Sequence, residues 1–372
     1  MRFTRINLAP SFVSLLNACV CLLLFGAGGT PHAQLHAQAT PPTASSSGVN
    51  LPTDTARGIE LYKAANYREA IEVLRGAVKE RREDGEAWLH LGIALSRADE
   101  NKEARKAFEK AIKLKPDAPQ AHIGMAYLLL ESGKPKEAER AATHALTLNA
   151  RNAEAHYALG LIHLRQNAPA KALAEADATL QLNPTFAGAL LLKVEAAKEA
   201  YAAAYSEHFE KLKKLKTVPE VSTEERAAVN NLLKEASAAL DRYLALFPGA
   251  PNATRLREEA ETLRFYSQPL NKSGEPFAYP VNALTTKAQI TSKPEPLYTE
   301  QARHGGISGT VRLRMVLAFD GKVRHILVVQ GLGGGLSEMA VEAARKIKFT
   351  PATRDGRPVS QFVTIEYNFH IR

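Results

Sequence analysis

The sequence predicts a multidomain protein in which an all-α solenoid of helical hairpins is followed by a small α+β domain with an antiparallel sheet and one packed helix. Two observations lead to this prediction. Small and apolar residues recur every 34 residues over about residues 53–200, a period that is typical of stacked helical hairpins. From about residue 294 onward, apolar and polar residues alternate with a period of two, as in strands that bury one face.

The composition is that of a globular protein, with 45% hydrophobic and 23% charged residues and a net charge of +9. From residue 294 onward, eleven Lys and Arg residues stand against seven Asp and Glu residues. This excess is compatible with anionic surfaces such as lipid headgroups or cell-wall polymer. The clusters of basic and aromatic residues that a nucleic-acid groove needs are missing, so no nucleic-acid partner is predicted.

The first 38 residues have the features of a targeting segment. A basic start precedes an apolar run over residues 12–25, and small residues near residue 38 offer a cleavage site. The apolar stretch extended to Gly29 is about long enough to span a bilayer, since spanning takes roughly 17–25 residues. A cleaved signal peptide and a retained signal anchor are therefore both open, and membrane contact is expected only in the second case. Residues 39–52, which are small, polar and proline-bearing, are predicted to be a flexible linker.

The helical domain is predicted to cover residues 53–266. Its repeat markers are clearest in Trp88, Leu91, Gly92, Leu95, Ala104, Phe108, Ala111 and Pro116. Small residues also recur at Gly92, Ala126 and Gly160, where paired helices can approach closely. These residues resemble the tetratricopeptide-repeat family over about residues 53–200, with divergent repeats beyond.

The tetratricopeptide resemblance implies a groove that binds a peptide or protein. The first helix of each hairpin would face this groove, and its expected exposed positions hold Leu89, Ile93, Ile123, Tyr127, Tyr157 and Leu161. Repeats that grip a terminal carboxylate carry Lys and Asn at comparable positions, so capture of a free C terminus is not expected. An apolar groove suits an extended or helical hydrophobic segment. The alternative is that neighbouring helices cover these side chains and the array is a spacer.

The terminal domain is predicted to contain a hairpin, a helix and a last strand. Residues 309–319 alternate in polarity, and Asp320-Gly321 predicts a two-residue turn into the return strand. A helix is expected from about Ser337. With that turn, four apolar residues would share the outer face of the sheet, namely Val316, Val323, Leu327 and Val329. A partner, a second copy or the preceding helices are therefore expected to cover this face.

Several motifs in this stretch carry a second resemblance. The strings K-P-E-P-L-Y-T-E-Q-A-R at 293–303, D-G-K-V at 320–323 and A-V-E-A-A-R-K-I-K-F-T-P-A at 340–352 resemble the C-terminal domain of TonB-family proteins. These envelope proteins couple the inner membrane to outer-membrane transporters. The resemblance covers residues 294–372, and residues 267–293 are predicted to be a second linker.

The TonB resemblance implies how this domain would act. A short extended segment of an outer-membrane transporter would pair along the edge of the last strand, using unpaired backbone groups. The corresponding residues here are Phe362, Val363, Thr364, Ile365, Glu366, Tyr367, Asn368 and Phe369. The side chains that alternate along this strand are expected to pack in the core.

Two departures from the energy-coupling members limit what is implied. Those members have a transmembrane helix with a functional histidine, whereas no His lies between Phe12 and Gly29 here. Helical repeats also replace their long proline-rich spacer. The prediction is therefore an exported adaptor in the periplasm or envelope of a Gram-negative-type bacterium, which binds proteins at both ends and is anchored in the inner membrane if its N-terminal segment is retained. The alternatives are a membrane-anchored energy transducer and a cell-wall-binding scaffold.

Signals for catalysis are poor. The string G-L-G-G-G-L at 331–336 places Leu336 where a dinucleotide fingerprint needs Gly, and its strand belongs to an antiparallel hairpin. His156 and His163 have no accompanying set of ligands, and partly buried repeat positions explain both. Both cysteines, Cys19 and Cys21, lie in the targeting segment. No catalytic residue, cofactor or metal site is predicted, and the protein is not expected to be an enzyme.

Overall fold

The computed structural model describes residues 53–214, 223–268 and 278–370. The predicted targeting segment and first linker lie outside these residues. Within the described ranges, no helix combines the length and apolar character needed to cross a membrane. The chain forms two compact units, and the first comprises residues 53–193 and 245–253 of the described chain.

The first unit is built from antiparallel helical hairpins, as the 34-residue period predicts. Its helices are α1 Thr53–Lys63, α2 Tyr67–Glu80, α3 Gly85–Arg97, α4 Asn101–Leu114, α5 Pro119–Glu131, α6 Pro135–Leu148, α7 Ala153–Arg165, α8 Pro169–Leu182 and the start of α9, Ala187–Lys214. Asp84 accepts hydrogen bonds from the first backbone N–H groups of α3, and Asn152 does the same for α7. Pro119 begins α5, where its fixed φ suits a first helical position.

Aromatic rings tie the hairpins together at one repeat position. Trp88, His122 and His156 follow one another at intervals of 34 residues. In each of them a ring nitrogen contacts the backbone carbonyl six residues earlier, at 3.0 Å for Trp88, 3.1 Å for His122 and 3.3 Å for His156. His156 also contacts Glu175 at 2.7 Å, and His163 is buried. Both histidines thus occupy packing positions of the repeats.

Small residues allow the helices to close around Phe108 of α4. A Cβ atom added at Gly92 would lie 2.8 Å from its ring, and one added at Gly124 would lie 2.5 Å from it. Phe108 is buried, so its ring has little room to move. The glycines therefore set the spacing between this second helix and the two first helices beside it.

We expect Gly124→Ala to lower the free energy of unfolding by about 1–3 kcal/mol, because the added methyl group overlaps the Phe108 ring. Gly76→Ala on α2 is the matched control, since a Cβ there meets nothing within 4 Å. The control should raise stability by about 0.5–1 kcal/mol through helix propensity. Urea unfolding measures both changes in the free energy of unfolding. If both variants were stabilised or both destabilised, this packing around Phe108 would be contradicted.

The second unit comprises residues 194–244 and 254 onward. Its elements are α9 from Val194, α10 Thr223–Leu246, α11 Ala253–Ser267, β1 Gln289–Ser292, α12 Glu300–His304, β2 Gly309–Leu317, β3 Val323–Gln330, α13 Leu336–Arg345, β4 Lys348–Thr350, β5 Ala352–Arg354, β6 Arg357–Val359 and β7 Gln361–Phe369. The main sheet is antiparallel in the order β3-β2-β7, and β1 pairs with β4 while β5 pairs with β6. Helices predicted as the divergent end of the repeats thus pack into the same unit as the sheet.

One face of the main sheet packs on α13, as predicted. The core cluster includes Val311, Leu313 and Met315 of β2 together with Tyr367 and Phe369 of β7. Its helical members are Leu336, Ala340, Ala343 and Ala344, and Ile347 follows the helix. The core role predicted for the apolar side chains of the last strand is confirmed for Tyr367 and Phe369, which are buried.

The hairpin between β2 and β3 differs from the prediction. Leu317 pairs with Val323, so the turn is longer than the two residues expected, and Gly321 adopts a φ of +80°. The register then shifts twice along β3, which contains His325 at a φ of +49°. Val323 consequently lies opposite Leu317 and packs with the core, and its predicted place on the outer face is wrong.

The outer face of the sheet is covered by helices of its own unit. Val316, Leu327 and Val329 are buried, and Val316 packs in a cluster with Phe265 of α11 and Phe362 of β7. The preceding helices, one of the three covers predicted for this face, therefore pack on it. Within the predicted second linker, residues 289–292 form β1.

An ion cluster joins α9 to α11. Lys198 donates to Glu259 at 2.5 Å and to Glu195 at 3.1 Å. Beside it, burial and then the nearby Glu195 charge raise the pKa of Glu199 from 4.5 to about 7. A carboxyl with a raised pKa in the folded state disfavours folding once it is ionised.

Glu199→Gln should therefore stabilise the protein at pH 8 by about 1–2 kcal/mol, because the neutral amide removes the cost of a buried charge. The gain in stability should shrink as the pH falls from 7 toward 4.5, because the folded wild type takes up a proton at Glu199 near pH 7 and no longer buries a charge there. Glu342→Gln, at an exposed position of α13, is the control. Denaturant unfolding between pH 4.5 and 8 measures the difference, and a gain that is independent of pH would contradict this assignment.

Candidate functional site

The candidate site is the outer edge of β7. All nine of its residues pair with β2 without a register shift, so the strand is long and regular. At the opposite margin, β3 carries two irregularities. Two of its carbonyls accept side-chain hydrogen bonds, His325 from Tyr266 at 2.8 Å and Val329 from Ser206 at 3.3 Å. Bulges and covered carbonyls make β3 a poor template for another strand.

The direction of the backbone groups of β7 follows from one contact. The N–H of Phe362 donates to the carbonyl of Tyr279 at 3.1 Å, outside the pairing with β2. Because the side alternates with each residue, Thr364, Glu366 and Asn368 also direct their backbone groups away from β2. Among the described residues, no strand pairs with this half of the edge. The beginning of the predicted edge, at Phe362, is therefore occupied by the protein's own chain.

The side chains of β7 hold the strand in place on both faces. Val363 and Ile365 pack against the core beside the buried residues. On the other face, Glu366 forms an ion pair at 2.8 Å with Arg312, which is 6% exposed, and Thr364 contacts the Tyr205 hydroxyl of α9 at 2.9 Å. The strand is fixed by these contacts, and its outward backbone groups are preorganised for pairing.

An aromatic cluster lies beneath the strand, between the outer face and helices α9 and α11. Arg314 of β2 donates to the Tyr201 hydroxyl at 2.5 Å. Its guanidinium also lies 5.3, 4.8 and 5.1 Å from the ring centres of Tyr205, Tyr266 and Phe362, respectively. Burial raises the pKa of Tyr266, so its hydroxyl stays protonated. This cluster was not predictable from the sequence, because its members come from distant segments.

The six residues predicted to line the repeat groove are not exposed. Leu89, Ile93, Ile123, Tyr127, Tyr157 and Leu161 are between 1% and 9% exposed. The physical reason is that each first helix packs against its own second helix and also against the first helices of neighbouring hairpins, α3 against α5 and α5 against α7. The expectation of exposure is therefore wrong, and the alternative of coverage by neighbouring helices describes these side chains.

The glycine-rich loop after β3 has a packing role. Gly334 and Gly335 adopt φ values of +67° and +79°, and a Cβ added at Gly334 would lie 2.9 Å from Ala302 of α12. Glycine is needed here for the backbone conformation and for the close approach. Within the described ranges, no group of three or more His, Cys, Asp or Glu residues is placed to hold a metal ion.

Residues 294–371 match the family of Gram-negative bacterial TonB protein C-terminal domains. This part of the chain is a TonB C-terminal domain. Residues 55–119 and 123–185 match a tetratricopeptide-repeat family, so the two predicted resemblances are confirmed. Both domains indicate protein partners, and the TonB domain suggests a protein of the Gram-negative envelope.

Several solved structures resemble the chain, whereas no curated protein matches it. MamA is 17% identical, with 52% of this chain and 96% of that chain covered and a TM-score of 0.38. The pilus biogenesis factor PilW is 17% identical, with 55% and 96% covered and a TM-score of 0.38. PilF of Pseudomonas aeruginosa is 19% identical, with 55% and 96% covered and a TM-score of 0.37.

Proposed function

We propose that this protein is an exported adaptor of the Gram-negative cell envelope. Its TonB domain binds an extended segment of an outer-membrane transporter or secretion protein along the edge of β7, and its repeats bind a second protein. The observation that carries the proposal is the regular edge of β7, whose outward backbone groups from Thr364 to Asn368 are left without a paired strand in the described chain. Such an edge can accept a guest strand by backbone hydrogen bonding alone.

The repeats are proposed to bind their partner through polar exposed positions. The predicted apolar lining is buried, so it is not available to a hydrophobic segment unless the helices separate. The second helices present charged residues instead, such as Arg75, which pairs with Glu100 and Glu103 at 2.9 and 2.7 Å. A partner recognised in this way would bind with an affinity that falls as salt increases.

The adaptor is proposed to act by docking, without turnover of a substrate. The functional groups that support this are backbone N–H and C=O groups, which pair but do not transfer protons or electrons. Affinity capture tests the proposal: the full chain, immobilised and exposed to detergent-extracted outer membranes, should retain outer-membrane proteins. The proposal would be contradicted if the wild-type protein retained no more outer-membrane protein than the Asn368→Pro variant, which lacks one outward N–H group of the β7 edge.

A second candidate function is an energy transducer anchored in the inner membrane. The apolar stretch from Phe12 to Gly29 favours it, provided that the stretch is retained. Mass spectrometry of the mature protein separates the two functions. A mature N terminus near residue 39 would rule out the transducer, because the protein would then have no segment that holds it in the inner membrane.

A further inference from the structure

The chain segment that precedes the TonB domain runs beside the outer edge of β7. We call residues 278–293 the edge segment. The backbone N–H of Tyr279 donates to the Ser360 carbonyl at 2.8 Å, and its backbone carbonyl accepts from the N–H of Phe362. The N–H of Ala288 donates to Oε1 of Gln361 at 2.7 Å. These contacts occupy the beginning of the edge, and within the described ranges no strand pairs with its second half.

One side chain of the edge segment reaches this second half. Nζ of Lys293 donates to the backbone carbonyl of Glu366 at 2.8 Å and lies 4.5 Å from the centre of the Tyr367 ring. The carbonyl of Glu366 is the middle one of the three that point outward between Thr364 and Asn368. A strand that pairs with β7 needs this carbonyl as an acceptor, so the ammonium group stands where a guest N–H would bind.

The carboxylate of Glu366 does not hold Lys293 in this position. It pairs with Arg312 on β2 at 2.8 Å, while the ammonium of Lys293 is held by the backbone and by the face of an aromatic ring. A single charge-assisted hydrogen bond and a single cation–π contact are each modest interactions. The contact is thus strong enough to be occupied and weak enough to be displaced.

We propose that Lys293 is a displaceable cap on the β7 edge, which prevents β7 from pairing with the same strand of a second copy of the chain. Two copies that met through this edge would be related by a two-fold axis. Each would bring its own Lys293 to the junction, so two ammonium groups of like charge would approach each other and lose water. A guest strand without such a lysine meets only one ammonium group, whose flexible stem can swing away.

Lysine at a sheet edge is a known means of preventing strand pairing between copies. Here it acts from outside the strand, so β7 keeps its regular geometry and its outward N–H groups. The cap acts against self-pairing of β7, and it does not depend on which protein supplies the guest. Its failure would leave the docking proposal standing, because docking is tested separately by capture of outer-membrane proteins.

Sedimentation velocity of the full chain tests the cap with Lys293→Met and Lys287→Met. Methionine keeps an apolar stem over the Tyr367 ring and removes the ammonium group. Lys287 is an exposed residue of the same segment, so its variant controls for the loss of one positive charge. We expect Lys293→Met to lower the dimer dissociation constant at least about tenfold relative to wild type and to Lys287→Met.

A second substitution assigns any such dimer to the β7 edge. Asn368→Pro removes one outward N–H group, so adding it to Lys293→Met should return the dissociation constant to the wild-type value. Two results would overturn the proposal. One is a Lys293→Met protein that associates no more strongly than Lys287→Met, and the other is a dimer that Asn368→Pro leaves unchanged.

Discussion

Asn368→Pro should abolish the capture of outer-membrane proteins, whereas Asn368→Ala should preserve it. The N–H of Asn368 points away from β2, as the contact between Phe362 and Tyr279 establishes. Proline removes this donor and places its ring where a guest strand must lie. The loss of one hydrogen bond together with the steric overlap should weaken binding at least about tenfold. Alanine keeps the N–H and removes only the side-chain contact with Thr310 at 2.7 Å.

Affinity capture from detergent-extracted outer membranes compares the two variants with wild type at equal protein concentration. Because the pairing of β7 with β2 does not use the N–H of residue 368, both variants should unfold within about 1 kcal/mol of wild type. Equal capture by the proline variant and wild type would rule out docking at this edge. Equal loss in both variants would assign the effect to the side chain of Asn368.

Arg314→Ala should lower the free energy of unfolding of the second unit by about 3 kcal/mol. The substitution removes a partly buried guanidinium that bonds Tyr201 at 2.5 Å and lies beside three aromatic rings. It leaves a cavity between the sheet and helices α9 and α11. Arg314→Lys should cost about 1–2 kcal/mol, because an ammonium group lacks the planar face that stacks on rings.

Arg324→Ala is the matched control for Arg314→Ala. Arg324 is exposed and pairs with Asp320 at 2.6 Å, and pairs of this kind contribute about 0–1 kcal/mol. Hydrogen exchange of β2 and β7 reports the second unit separately from the repeats. If the backbone amides of β2 and β7 exchange no faster in Arg314→Ala than in Arg324→Ala, the aromatic cluster does not hold the sheet to the helices.

The periodicity of the sequence predicted most of the fold because each element carries its own pattern. The 34-residue repeat located the hairpins, and alternation along 309–319 and in the last strand located β2 and β7. The register between β2 and β3 was not predictable in the same way. Asp320-Gly321 is compatible with turns of different length. His325 adopts a left-handed conformation, and its ring stacks on Phe265 of α11 at 4.0 Å, a contact between segments that are distant in the sequence. The displaced position of Val323 follows from these features.

The sequence predicted the strand that forms the candidate site, but it did not predict the residues that surround this strand. Sequence patterns identify which strand is regular, whereas they do not show which edge is left open or what lies beside it. Lys293 and Tyr279 come from a segment that looked like a linker, and Arg314 looked like an ordinary polar residue of an alternating strand. The predicted exposure of the groove residues was wrong for a related reason, since Leu89 and Tyr157 are buried by helices that include those of other hairpins.

Site-specific photo-crosslinking in intact cells tests the central claim most directly. A photoreactive residue at position 368 reports on the β7 edge, and one at position 324 reports on the opposite edge of the same sheet at β3. We predict crosslinks to outer-membrane proteins from position 368 and none from position 324. Crosslinks from position 324 alone, or equal crosslinking from both positions, would contradict docking at β7.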